Sequence, residues 1–185
     1  MKRIGIYGGG FNPPHVGHVL AVQHALTFGN LDLVAVLPCW QHPFAKDSGL
    51  LPFNDRLEMT RRAFYNDARI RVDELESDFQ VSYTVDLIEK LLEISKGSKE
   101  QVQFVLILGS DNIQDWEKWH RHEDLDKMVE KFVVPRAGST SSPWVLPDIS
   151  STTIREWIQA GEWDKVETVV PPKVVDYIRV QGLWK

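Results

Sequence analysis

The sequence predicts an α/β fold, a parallel sheet covered by helices on both faces, on three observations. Short β-type apolar runs alternate with helical patterns along the whole chain. Those runs are apolar at successive positions, as strands covered by helices on each side require. Each run also stops near a glycine or a proline, the residues that end a strand at a turn. The first strand is expected over residues 3–7, running into Gly8, Gly9 and Gly10, and a helix over 16–28 follows. A second strand over 33–37 halts at Pro38, and a helix is expected over 54–64. Residues 70–72 form a further short strand, followed by a helix over 83–95. A strand over 103–108 stops at Gly109, and a helix over 111–116 leads to a strand over 131–134 that stops at Pro135. Two helices, over 153–160 and 172–180, complete the chain. The irregular stretches 38–52 and 136–147 both follow strands, which puts them outside the carboxyl ends of the sheet, where doubly wound folds bind ligands. The first carries Trp40, His42, Phe44 and Lys46 and is read as a substrate-facing loop.

With 185 residues, 43% of them hydrophobic, the chain suits one domain spanning 1–185 with a sizeable core. A formal charge of −5 argues against broad electrostatic capture of nucleic acid, so any phosphate must be held locally by backbone amides and a few cations. The single cysteine, Cys39, precludes an internal disulfide, fits a reducing compartment and suits packing better than nucleophilic work. No apolar run is long enough to span a bilayer. Met1-Lys2-Arg3 leads straight into a glycine-broken strand rather than a signal peptide's apolar region, so a cytoplasmic location without membrane contact is expected.

The most informative segment is Gly8-Gly9-Gly10-Phe11-Asn12-Pro13-Pro14-His15-Val16-Gly17-His18. A glycine run alone is an ordinary turn, and this spacing matches neither the dinucleotide fingerprint nor the P-loop. What distinguishes it is the strand–turn–helix junction with two histidines three residues apart, hence on one face of the opening helical turn. Glycines let backbone N–H groups approach an anion closely, and the helix N-terminus adds a favourable partial charge. A second segment, Ile149-Ser150-Ser151-Thr152-Thr153-Ile154-Arg155-Glu156, places good N-caps before a helix, with Glu156 three residues after Thr153 in capping-box arrangement. Read as an ordinary helix start, it needs no ligand. Read for function, its hydroxyls and N–H groups meet phosphate oxygens and Arg155 reaches the same anion, so the two segments grip one triphosphate from two sides.

Together the two segments resemble the GG-x-F-[DN]-P-x-H-x-GH and I-S-S-T-x-x-R motifs of the nucleotidyltransferases related to class I tRNA synthetases. Within them the chain is most similar to the bacterial nicotinate-nucleotide adenylyltransferases. The similarity also covers Ser82-Tyr83-Thr84-Val85-Asp86, Leu108-Gly109-Ser110-Asp111 with Trp119 eight residues on, Val133-Val134-Pro135-Arg136, and the stretch from Val170-Pro171-Pro172 to Tyr177-Ile178. It implies a Rossmann-like doubly wound parallel sheet that joins ATP, as its Mg²⁺ complex, to nicotinate mononucleotide. It further implies that His15, His18 and Arg155 are catalytic, and that Gly8, Gly9, Gly10, Phe11, Ser150, Ser151 and Thr152 hold the ATP phosphates. Asn12, Lys46, Thr84, Asp111 and Trp119 would surround the acceptor, with the indole stacking on a pyridine ring. No protein metal ligand is implied; the cation rides on phosphate oxygens and water. Two positions depart from the pattern. Gly10 stands where the family has threonine, and 38–46 separates the histidine and lysine that the family keeps adjacent. The residues themselves leave the acceptor open among nicotinate mononucleotide, nicotinamide mononucleotide and other phosphates, with a non-catalytic nucleotide sensor as the reading from another class. They do not speak to oligomeric state.

Overall fold

The computed structural model describes residues 1–41, 49–136 and 144–184. In chain order its elements are β1 (Lys2–Gly9), α1 (Val16–Phe28), β2 (Leu33–Pro38), α2 (Phe53–Ala63), β3 (Ile70–Val72), α3 (Leu75–Phe79) and α4 (Thr84–Ser95). There follow β4 (Val102–Gly109), α5 (Ser110–Gln114), α6 (His122–Met128), β5 (Glu130–Val134), α7 (Ser151–Gln159), α8 (Trp163–Val169) and α9 (Pro172–Gln181), with one 3₁₀ turn at Trp116–Lys118. All five strands pair in parallel in the order β3-β2-β1-β4-β5. The chain therefore winds outward from β1 to β3, returns across the centre to β4 and winds outward again. The turn-back opens a crevice at the carboxyl ends of β1 and β4.

Strand periodicity accounts for the layers. Val34 and Val36 of β2, with Val105 and Ile107 of β4, face one side and pack against Ala21, Val22 and Ala25 of α1. Ala35 and Leu37, with Phe104, Leu106 and Leu108, face the other side and pack against Val85, Leu87 and Ile88 of α4 and Leu125 of α6. Both faces are thus apolar, and each fully buried aliphatic chain stabilises the fold by about 1.5–3 kcal/mol. A third cluster joins Met59 of α2 to Ile154 and Ile158 of α7, Val166 of α8, and Val174 and Ile178 of α9. The C-terminal helices are therefore held to the sheet through α2.

The expected strands appear, most of them a residue or two longer, because sheet pairing extends to positions whose side chains carry no strand signal. Three helices, α3, α6 and α8, lie where none was expected. At 5–7 residues each they are too short to show helical periodicity. The expected helix at 111–116 is a single turn of α5 that tightens into the 3₁₀ turn. His42, Phe44 and Lys46, read above as part of a substrate loop, lie outside the described residues.

One buried cation ties the loops to this frame. Arg56 of α2 is only 2% exposed. Its Nε donates to Leu51 O at 2.9 Å and its guanidinium to Gly10 O at 3.1 Å and Trp40 O at 3.5 Å, with the Cys39 sulfur at 3.7 Å. Replacing it strands buried carbonyls. Arg56→Met is expected to lower the unfolding free energy by about 3 kcal/mol, read from urea denaturation; a loss below ~1 kcal/mol would mean that the carbonyls find other donors.

Candidate active site

The glycine turn leaves the end of β1 at the crevice and splits it into two halves. On one side, His15 caps α1 in an extended conformation and is 2% exposed. Its backbone N–H donates to His18 Nδ1 at 3.1 Å, and the two imidazole centroids are 3.8 Å apart. With Nδ1 accepting, the neutral His18 ring carries its proton on Nε2 and offers it as a donor. His15 Nδ1 is buried without a hydrogen-bond partner among the described residues. A Cβ at Gly17 would sit 3.0 Å from the His15 ring, so the glycine between the histidines gives that ring its space. Phe11 is different in character. Its backbone takes a left-handed φ of 47°, and its side chain is buried in the α1 face of the core, edge-on to His18 at 5.0 Å. Only its backbone is available to a phosphate.

The second motif closes on the first. Ser150 caps α7, its Oγ accepting Thr153 N–H at 3.1 Å. Ser151 Oγ donates to Pro13 O at 2.8 Å. Arg155 donates to Asn12 O at 2.9 Å and to Thr152 Oγ1 at 3.2 Å. Segments about 140 residues apart in sequence are thereby stitched backbone to side chain. Asn12 itself braces a loop, donating to Gly49 O at 3.1 Å and accepting Leu51 N–H at 3.2 Å.

Charge in this half is unusual. Burial, joined by the nearby Arg136 guanidinium, pushes His15 down to about 4. His18 is held well below the ordinary imidazole range by burial, by His15 and by Arg136. Both rings are neutral at pH 7. Arg136, just after β5, pairs with Asp111 at 2.6 Å and donates to Ile149 O at 3.2 Å. Asp111 faces this cation and stands outside the cavity wall described next. A Cβ at Gly109 would run into the Asp111 carboxylate. Arg136 stands in the Val133–Arg136 segment of the family similarity, where the sequence assigns it no role. The signal was there: a cation placed directly after a strand, at the sheet end where the glycine turn also lies.

On the other side of the turn, over the α4 face of the sheet, lies a cavity of about 520 Å³. Its wall includes Gly8, Gly9 and Gly10, Thr84 at the start of α4, and Trp119. Tyr83 and His120, also in the wall, stack obliquely 4.4 Å apart. Of the residues expected at the site, the structure therefore gathers Thr84 and Trp119 here, and His15, His18, Ser150, Ser151, Thr152 and Arg155 on the far side. Lys46 lies outside the described residues. A Cβ at Gly10 would meet only Leu50 Cδ2, at 3.6 Å, so the backbone there is not strained to require glycine. Among the described residues no cluster of three or more His, Cys, Asp or Glu is placed to cage a metal ion. No helix among them is long and apolar enough to cross a membrane.

The sequence profile of the family described as Cytidylyltransferase-like matches residues 6–157. The chain is 36% identical, over its full length and 97% of the other chain, to a probable nicotinate-nucleotide adenylyltransferase of Anaeromyxobacter sp. (strain K). It is 32% identical, again over its full length and 97% of the other, to the protein of the same description from Shouchella clausii. Among solved structures it resembles the Plasmodium falciparum nicotinic acid mononucleotide adenylyltransferase complexed with NaAD. There the TM-score is 0.83 at 22% identity, covering all of this chain and 98% of that one. At that identity the likeness establishes a shared fold.

Neutral buried histidines carry a stability signature. His15 binds its proton at about 4 folded but near the ordinary 6.5 unfolded, so its contribution is present above pH 6.5 and is lost as pH falls toward 4. Between pH 7 and pH 5, wild type is expected to lose on the order of 2 kcal/mol relative to His15→Gln, measured by paired denaturation curves; parallel curves would show that His15 is not held neutral.

Proposed function

This chain belongs to the nicotinate-nucleotide adenylyltransferases of the cytidylyltransferase-like family. On that footing we propose that it transfers the adenylyl group of ATP to nicotinate mononucleotide, yielding deamido-NAD and pyrophosphate for NAD biosynthesis. The observation that supports this most is the division of the crevice by the glycine turn, with a cation-and-histidine half on one side and an aromatic-walled cavity on the other. A reaction joining a triphosphate to a mononucleotide needs both halves to meet at one phosphorus. The whole span 1–185 acts as one nucleotidyltransferase domain, and its use of ATP with a single buried thiol, Cys39, suits the cytoplasm.

The acceptor phosphate attacks the α-phosphorus in line, and the bond to the β-phosphate oxygen breaks as pyrophosphate leaves with the electron pair. No covalent enzyme intermediate is required, since positioning and charge stabilisation carry this class of transfer. The N–H groups of Gly8, Gly9 and Gly10 and the backbone of Phe11 receive the phosphates. His15 and His18 donate hydrogen bonds to the charge that develops on the departing oxygens. Ser150, Ser151, Thr152 and Arg155 hold the β- and γ-phosphates at the start of α7. ATP would enter as its magnesium complex, the ion supplying neutralisation of phosphate charge. Thr84 and Trp119 line the acceptor's path, the indole offering a flat apolar face to the pyridine ring. Asn12 and Asp111 act at one remove, through the loop at Gly49 and through Arg136. Lys46, which lies outside the described residues, is the remaining member of the proposed acceptor set.

Pyrophosphate release from Mg·ATP, with nicotinate mononucleotide, nicotinamide mononucleotide and phosphopantetheine offered in parallel, tests the reaction. Release favouring the nicotinate form is expected, and binding of ATP with no release in any arm would overturn the enzyme reading. His18→Ala should lower kcat by about a hundredfold or more with little change in ATP affinity, because its work is done in the transition state. Arg155→Ala should weaken ATP binding by about tenfold or more, since its contact exists in the ground state too; an unchanged Kd would remove it from the phosphate site.

A further inference from the structure

The glycine turn hides its acceptors and leaves its donors free. Gly9 O accepts Cys39 N–H at 2.9 Å, and Gly10 O accepts the Arg56 guanidinium at 3.1 Å. Asn12 O accepts from Arg155 at 2.9 Å, and Pro13 O from Ser151 Oγ at 2.8 Å. The N–H groups of Gly10, Phe11 and Asn12, by contrast, have no hydrogen-bond partner among the described residues. The Gly9–Gly10 and Gly10–Phe11 bonds are trans. In a trans peptide C=O and N–H point in opposite directions, so whatever holds a carbonyl also aims the next residue's N–H. Gly9 O is drawn to the exit of β2, which turns Gly10 N–H toward the β4 side. On that side β1 has no partner left. Its pairing with β4 stops at Ile6 and Leu106, while its pairing with β2 runs on to Gly9 and Pro38. Gly10 O is drawn to Arg56, which turns Phe11 N–H away from α2. Phe11 is left-handed and follows a glycine of negative φ, an alternation that gathers successive N–H groups around an anion.

The turn's own residues do not hold the Gly10–Phe11 peptide in this sense. Rotating that plane by half a turn would carry Phe11 from φ 47° to an ordinary extended value, relieving a conformation that is costly for a bulky residue. Gly10 has no Cβ to resist the rotation. The rotated peptide would aim Gly10 O where Phe11 N–H now points, setting a carbonyl oxygen against a phosphate. Arg56 opposes this, because its guanidinium is itself fixed by Leu51 O, Trp40 O and the Cys39 sulfur. It stands behind the turn, buried, and is not part of the cavity wall. Resting on the adenylyl-transfer reading above, we propose that Arg56 is a positioning residue for the triphosphate. It touches no substrate. By holding Gly10 O it fixes the peptide so that the N–H groups of Gly10, Phe11 and Asn12 meet phosphate oxygens together.

The test is the Kd of inorganic tripolyphosphate for wild type, Arg56→Met, Arg56→Lys and Ile178→Ala, with the backbone amides followed in ¹H–¹⁵N spectra. Ile178 is buried in the third cluster, far from the turn in the packing, and its variant controls for lost stability alone. Both Arg56 variants are expected to bind about tenfold or more weakly, the size of one N–H bond to a charged group. Lysine keeps the charge but not the planar fork, so it should not rescue. Ile178→Ala should bind as wild type does. In wild type, tripolyphosphate should move the amide protons of Gly10, Phe11 and Asn12 downfield; in Arg56→Met that of Phe11 should stay in place. Wild-type affinity in either Arg56 variant overturns the proposal, as does equal weakening in Ile178→Ala. Wild-type amides that stay still on binding overturn it too. Should Arg56→Met not fold, Arg56→Lys and the wild-type spectra decide. Failure of the transfer reading looks different: the shifts and the weakened variants would stand, but Mg·ATP would release no pyrophosphate with any acceptor.

Discussion

The Arg56 guanidinium sits where three chain segments need a donor at once: the end of the glycine turn, the exit of β2 and the approach to α2. Loops at the carboxyl end of a parallel sheet have no neighbouring strand to satisfy their carbonyls, and burying those carbonyls unpaired is costly. A single planar donor with several N–H groups solves the problem for all of them together, and does so from a helix that is itself packed in the core. The position of Gly10, and with it the floor shared by both halves of the crevice, follows from that arrangement. Trp40, whose carbonyl Arg56 holds, in turn donates its N–H to the Glu76 carboxyl group.

The electrostatic design runs against the simplest expectation for an anion site. Rather than a ring of permanent cations, it has two imidazoles stripped of charge by burial, with Arg136 as the nearby fixed charge and Arg155 at the adjoining helix start. Permanent cations would bind reactant and product polyphosphates alike. Neutral donors that gain strength as negative charge accumulates act more on the transition state than on the ground state. The exposed acid Asp111, paired with Arg136, tempers that cation and fixes where it points.

Much of this was legible in the chain. The alternation of double-sided apolar runs with helical patterns predicted the sheet, because a strand such as 33–38 hides nearly every side chain it has. The glycine turn with His15 and His18, and the Ser-Thr helix start with Arg155, could be read because their residue types are constrained by what they must touch. Phe11 was misleading in one respect: it stands inside the motif, yet its ring belongs to the core. What stayed hidden depends on three-dimensional neighbours. Glu76 looks like any acid on a short polar helix, and nothing near it in sequence reveals that α3 folds against the cavity. Arg56 reads as one more charge on an amphipathic helix. The short helices α3, α6 and α8 owe their existence to packing, which a window of local sequence does not contain.

The glycine turn has a consequence for how such a protein changes over generations. Because the turn contributes main chain rather than side chains, none of the described residues that carry the two histidines or the α7 start also lines the cavity. Beyond the ends of β1 and β4, the cavity wall is drawn from β2, α3, α4 and the stretch around Trp119, and the proposed phosphate grip from α1 and α7. On the proposed division of labour, substitutions can accumulate on the cavity side, altering which ring is welcomed, while the histidine half is left untouched. A lineage can thus change its acceptor by drift at one face of a sheet, without ever passing through a form that has lost its chemistry.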